Sequence, residues 1–259
     1  MTHAFTQIDS TKLDAFPALR SYLRGMRRIP GGTFLMGTDD KTLKNDRKHR
    51  VTLADFSIGS YPVTTDIWRE YCNATKSKIP APPAWGFKPN HPMVNISWQQ
   101  IMDSEGGFCD WVNHVCDVKV TLPTEAQFEY AACGGQFGTP FHWGKSFHSS
   151  NLWCSTKRIG DVKSTAPVFR QTRITVNPYG LTDMTGNVWQ WCLDWYAPYP
   201  RKSAINPVGP DVSTDELKCI RGGGWDIKDP FFFHVNRRYW QYRRNYDDNV
   251  GFRLVLIES

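Results

Sequence analysis

The sequence predicts a single α+β domain with few long elements, and three observations carry that reading. From "RRIPGGTFLMGT" at residues 27–38 onward, short apolar runs alternate with Gly, Pro, Asn and Asp, as in many short strands joined by loops. A few segments instead space their apolar residues at helical period. No repeat, linker or low-complexity run divides the 259 residues, a length at which one chain buries a sizeable core.

Taken in order, residues 1–27 form a leader with a short amphipathic helix. Leu13, Phe16, Leu19, Leu23 and Met26 fall on one face over 11–27 behind Ser10 or Thr11 as cap, with Pro17 interrupting the pattern. Docking on its own domain and docking on a partner both remain open for it. Residues 28–259 are the domain proper. "TDIWREYCNAT" at 65–75 predicts a helix with Thr65 as N-cap and Ile67, Trp68, Tyr71 and Cys72 on one face. "SWQQIMDSEGGFCDWVNHV" at 97–115 predicts one that starts at Ser97 and continues past the glycine pair. "TEAQFEYAAC" at 124–133 predicts another, capped by Thr124.

Composition narrows the function classes. A hydrophobic content of 40% is that of a globular protein, and no apolar run approaches the roughly 18 residues of a membrane helix. The N-terminus has no basic region followed by an apolar segment, so a cytoplasmic location is expected. Seven cysteines without a CxxC spacing read as buried thiols, with Cys154 in "NLWCSTK" the exception to watch for a disulfide or a reactive thiol. The net charge of +6 is modest but clustered, at Arg20, Arg24, Arg27 and Arg28 and again at Arg237, Arg238, Arg243 and Arg244.

The stretch "RGGGWDIKDPFFFHVNRRYWQYRRNYDDNVGFRL", residues 221–254, concentrates aromatic and arginine side chains. Trp225, Phe231 and Phe233 suit a half-buried strand. "RRYWQYRRNY" does not, because Arg and aromatic residues interleave without alternation and a core arginine is costly unless paired. Rigid aromatics with forked Arg donors are the composition of binding hot spots. The expected contacts are Trp225, Tyr239, Trp240, Tyr242, Arg243, Arg244 and Tyr246. A single-stranded nucleic-acid platform would use the same mixture, but Asp247 and Asp248 interrupt any continuous phosphate track.

Six stretches in order, "IPGGTFLMGT", "HRVTLADFSIGSYPVTTDIW", "HPMVNISWQQ", "LPTEAQFEYAACGG", "NPYGLTDMTGNVWQW" and "RGGGW…GFRLV", resemble the family of formylglycine-generating-enzyme-like domains, also called the sulfatase-modifying-factor family. The resemblance covers residues 28–255 and implies a C-type-lectin-type fold: small antiparallel sheets, two main helices and extensive irregular loops. Members of that family include copper-dependent oxidases that convert a sulfatase cysteine to formylglycine, iron-dependent sulfoxide synthases, a pyoverdine-maturation oxidase, and the variable ligand-binding proteins of diversity-generating retroelements.

Carried over residue by residue, the oxidase pattern puts Gly224 at a serine position and Ile227 and Phe232 at the two cysteines whose thiolates would hold Cu(I). Hydrocarbon cannot ligate copper, so formylglycine generation is not expected. The sulfoxide synthases take their iron from a preceding histidine-rich helical domain, which a leader of about 25 residues cannot supply. His142 and His148 around "HWGKSF" make an incomplete metal site, and His49 and His91 read as structural. No copper or iron is expected.

The resemblance also implies structural calcium, held by Asp183, the Gly186 and Val188 carbonyls and Gln190, with a second site at Asn151 and Asp161. Gln190 stands where the family carries glutamate. The function expected is a non-catalytic module that binds a protein or other macromolecular ligand on the face 225–250, through Asp226, Ile227, Phe232 and His234 beside the contacts above. Tyr239, Tyr242, Asn245 and Tyr246 are residue types that adenine-directed diversification produces. The alternative is an oxidoreductase resembling the pyoverdine-maturation oxidase, with Asp226, Asp229 and His234 as its available groups.

Overall fold

Pro17 begins a helix where the sequence pattern had it interrupting one. A fixed φ and a missing N–H suit a first helical position. In a computed structural model, which describes residues 13–40, 46–157, 163–168 and 176–257, helix α1 runs Pro17–Arg24. Phe16 offers no capping side chain, and the amides of Ala18 and Leu19 donate instead to the two carboxylate oxygens of Glu70, at 2.8 and 2.9 Å. Leu19, Tyr22 and Leu23 are buried, and the Leu254 amide donates to the Tyr22 hydroxyl at 3.0 Å. The helix docks on its own chain.

Helix α2, Thr65–Thr75, is preceded by Thr64 as its cap, one residue earlier than expected, and ends on Lys76 in the left-handed region. Ser97 and Thr124 each close a capping box with the glutamine three residues on. The single helix expected over 97–115 is two, α3 at Trp98–Met102 and α4 at Phe108–Cys116. Gly106 adopts φ +92°, and a Cβ on Gly107 would lie 2.5 Å from the Asp103 carbonyl oxygen, so the glycine pair turns the chain sharply. Helix α5 spans Glu125–Cys133.

Eleven strands form three sheets among the described residues. The first has the order β1 (Arg27–Ile29), β4 (Phe56–Ile58), β11 (Val255–Leu256), β5 (Val120–Thr121). The second has the order β10 (Val250–Gly251), β6 (Trp189–Trp195), β8 (Leu217–Arg221), β9 (Arg238–Tyr242), with β10 parallel to β6 and the other pairs antiparallel. The third pairs β2 (Gly32–Met36) with β3 (His49–Leu53) and β3 with β7 (Ala204–Ile205). The fold is therefore α+β, but the two-helix C-type-lectin-type arrangement is corrected to five helices and three sheets among the described residues.

Successive side chains of a strand point to opposite faces, and β6 separates the two main apolar clusters on that principle. Trp189 and Trp191 join α1, α2 and α4 in one cluster, and Cys192 joins α5, β2, β3 and β4 in the other. All seven cysteines are buried and free, Cys154 included. Burial pushes the Cys116 thiol up to about 12 and raises Cys109 and Cys133 further.

Candidate functional site

The loop from β8 to β9 projects the aromatic stretch, and its root is polar. Arg221 at the end of β8 and Arg238 at the start of β9 face each other in register, both fully buried. Glu125, at the start of α5, answers both. Its Oε1 accepts from Arg221 Nε at 3.0 Å and Arg238 Nε at 2.8 Å, and its Oε2 from Arg238 Nη2 at 2.7 Å. Arg221 Nη2 also donates to Glu129 at 2.8 Å and to the Tyr199 hydroxyl, while its Nη1 donates to the carbonyls of Val235 and Arg237 at 3.2 and 3.3 Å. Arg221 thus pins the returning end of the loop.

Burial alone would raise the Glu125 carboxyl, but Arg238 and Arg221 beside it hold it down to about 2. Burial outweighs the arginines at Glu129 and Asp46, which are raised. Asp194, whose Oδ2 accepts the Glu125 amide at 2.8 Å, is pushed up to about 7 by burial and by the Glu125 charge. None of these acids was singled out from the sequence. The only local signal is the i, i+4 spacing of Glu125 and Glu129 on one helix face.

Above that root Gly222 and Gly223 take φ +101° and +79°, and a Cβ on Gly224 would meet Asp226 Oδ1 at 2.7 Å and Trp189 at 3.1 Å. Trp225 donates through Nε1 to the Asp248 carbonyl at 3.1 Å and stands edge-on to Trp85, centroids 5.1 Å apart. Asp226 is exposed and accepts from Asn249 at 3.0 Å. Ile227 is half-buried between two apolar clusters, and its carbonyl accepts the Ser155 amide. Phe232 lies edge-on to Trp189 and Tyr239, at 6.3 Å from each. Both positions where the family resemblance would place thiolates are filled by packed hydrocarbon.

The remaining expected contacts divide. Tyr239, Tyr242 and Tyr246 are exposed, at 41%, 49% and 61%, and Trp240 is half-buried. Arg243 is engaged by Glu216 at 2.6 Å and by Gln99 at 3.2 Å, whereas Arg244 is exposed. His234 packs edge-on to Phe141 and Phe231, and burial lowers its pKa. Half-buried Trp85 extends the aromatic surface, and buried Trp189 packs against Tyr239; both were missed by the sequence reading, since they sit far along the chain from residues 221–254.

The proposed calcium donors serve other bonds. Gln190 Oε1 accepts from Arg253 Nε at 2.6 Å, and Gln190 Nε2 donates to the Asp183 carbonyl at 2.6 Å. Asp183 Oδ2 accepts from Asn187 at 3.0 Å, and Gly186 hydrogen-bonds to Gly222 through its amide and to Val188 through its carbonyl. The buried Arg253 guanidinium, also bound to the Gly59 and Thr182 carbonyls, thus takes the Gln190 side-chain oxygen that a cation would need. Asn151 is buried in a short 3-10 turn, and Asp161 lies outside the described residues. Among the described residues no three His, Cys, Asp or Glu side chains converge as a metal site. The expectation of calcium and metal binding is corrected accordingly.

Fold and site together define a mixed α and β domain that carries a glycine-hinged aromatic loop on a buried ion cluster. Residues 12–257 match the sulfatase-modifying factor enzyme 1-like domain, and the chain belongs to that family. Bovine formylglycine-generating enzyme is 26% identical over 76% of this chain and 64% of its own length, so the chain spans less than two thirds of that relative. Among solved structures, PvdO from Pseudomonas aeruginosa superposes with a TM-score of 0.76 at 24% identity, covering 90% of this chain and 94% of its own. Treponema denticola variable protein 1 superposes with a TM-score of 0.74 at 21% identity, covering 89% and 94%. Both share the fold.

These findings correct two expectations. The non-catalytic module that set formylglycine generation aside is overturned by similarity, in sequence and structure, to the family of formylglycine-generating enzymes. The cytoplasmic location does not stand either. No helix of the described residues is long and apolar enough to cross a membrane, which assigns no compartment.

Proposed function

We propose that this chain is a copper-independent form of the formylglycine-generating-enzyme domain, and that it engages a polypeptide on the aromatic surface around Trp85, Trp225, Tyr239 and Tyr242. The observation that carries the reading is the packing of Ile227 and Phe232. A copper-thiolate mechanism needs two soft sulfur ligands, and those two positions supply a half-buried aliphatic side chain and a half-buried aromatic ring, the ring packed against Trp189 and Tyr239. What stays open beside them is ring surface backed by a rigid ion cluster, which suits recognition of a protein segment at low entropic cost.

Titration with Cu(I) against a chromophoric chelator tests the first half. The chain is expected to withdraw no stoichiometric copper, and retention of one equivalent would refute copper independence. A displayed peptide library panned on the chain tests the second half. Enriched peptides are expected to lose about 2 kcal/mol of affinity, or more, on Trp225→Ala. Failure of any peptide to enrich removes the polypeptide.

A further inference from the structure

We propose that β9 takes up an extended polypeptide as an added strand, through the edge that faces away from β8. The proposal rests on the reading that the aromatic surface engages a polypeptide, and it names the mode. Strand β9 is the last of its sheet, after β8. Arg243 donates its amide to the Glu216 carbonyl at 3.0 Å, which fixes the parity of the ladder. Tyr239 and Gln241 therefore turn their amides and carbonyls toward β8, and Arg238, Trp240 and Tyr242 turn theirs outward.

One outward amide is already answered by a side chain. Tyr242 N–H donates to Gln241 Oε1 at 2.9 Å, and the same carboxamide is steadied by Nε2 donating to Asp247 at 2.6 Å. The Gln241 amide stands where the peptide group of a neighbouring strand would stand. Trp240 has no backbone partner outside the β8 ladder among the described residues. Proteins usually guard such an edge with Lys, Pro, a bulge or a covering loop; β9 instead carries exposed Tyr239 and Tyr242 and half-buried Trp240.

The chemistry selects the occupant. Antiparallel self-pairing of two copies about Trp240 would set Arg237 opposite Arg243 at both ends, and like charges directly opposite destabilise a strand pair. A different polypeptide escapes that penalty, and exposed Arg244 favours an acidic residue at the strand end. Main-chain bonds would hold such a segment, while the Tyr and Trp rings receive its alternate side chains.

A fluorescein-labelled peptide of alternating valine and threonine with glutamate at both ends serves as the probe, beside the same peptide N-methylated at alternate residues. By fluorescence anisotropy the unmethylated peptide is expected to bind at least about tenfold tighter. Gln241→Ala should strengthen binding by clearing the edge, and Trp240→Pro, which deletes an outward amide without breaking a β8 bond, should weaken it. In hydrogen exchange the Trp240 amide should become protected on addition of the unmethylated peptide alone. Equal affinity of the two peptides, no binding of the unmethylated one at millimolar concentration, or a wild-type dimer in sedimentation that Trp240→Pro dissolves would each overturn the proposal. Library-enriched peptides that bind regardless of N-methylation would leave the polypeptide reading standing and remove only the added strand.

Discussion

Arg221 and Arg238 stand opposite each other on adjacent strands, an arrangement that on its own weakens a ladder. Glu125 makes it stable, because one carboxylate bonds both guanidiniums in a buried site where removing a partner leaves uncompensated charge. Glu125→Gln is therefore expected to cost about 3–5 kcal/mol in urea denaturation. A loss below about 1 kcal/mol would mean that the cluster carries little of the fold. The sequence shows that a core arginine needs a partner, but it does not show where the partner is. Glu125 lies 113 residues before Arg238, so "RRYWQYRRNY" looks like an all-exposed platform when its second arginine is in fact part of the core. The tyrosines of the same stretch are exposed as their context suggested.

At the level of elements, what was legible was local. Ser97 and Thr124 each precede a glutamine by three residues, and both capping boxes form. Thr124→Ala is expected to cost about 1 kcal/mol, because the Gln127 amide loses its acceptor at 3.1 Å while the Thr124 amide keeps the Gln127 side chain at 2.9 Å. Thermal unfolding checks this, and an unchanged midpoint would show that tertiary contacts alone set the start of α5. The break between α3 and α4 was misread because a glycine pair inside a helical period can be passed through or turned at. The choice is made by the close approach of Gly107 to Asp103, which spacing does not encode. Sheet order was not legible at all. Strand β11 lies between β4 and β5, and β10 pairs with β6 about sixty residues away, partnerships that no short-range pattern specifies.

For the molecule as a whole, the buried acids give stability a pH dependence with two opposed limbs. Glu125 is held near 2 in the folded chain against an ordinary 4.5, so its contribution is present above 4.5 and is lost as pH falls from there toward 2. Asp194 is the reverse case. Its folded value of about 7 lies above the ordinary 3.8, so the folded chain holds a proton that the unfolded chain releases, and stability declines as pH rises from about 4 to 7. Asn at position 194 keeps an acceptor for the Glu125 amide and cannot ionise beside Glu125. Asp194→Asn is therefore expected to gain on the wild type across that window, at up to about 1.4 kcal/mol per pH unit where the slope is steepest, with the difference flat above about 7. Denaturant melts at steps from pH 4 to 8 measure it. Parallel curves for the two proteins would place the Asp194 proton elsewhere and remove its limb of the pH dependence.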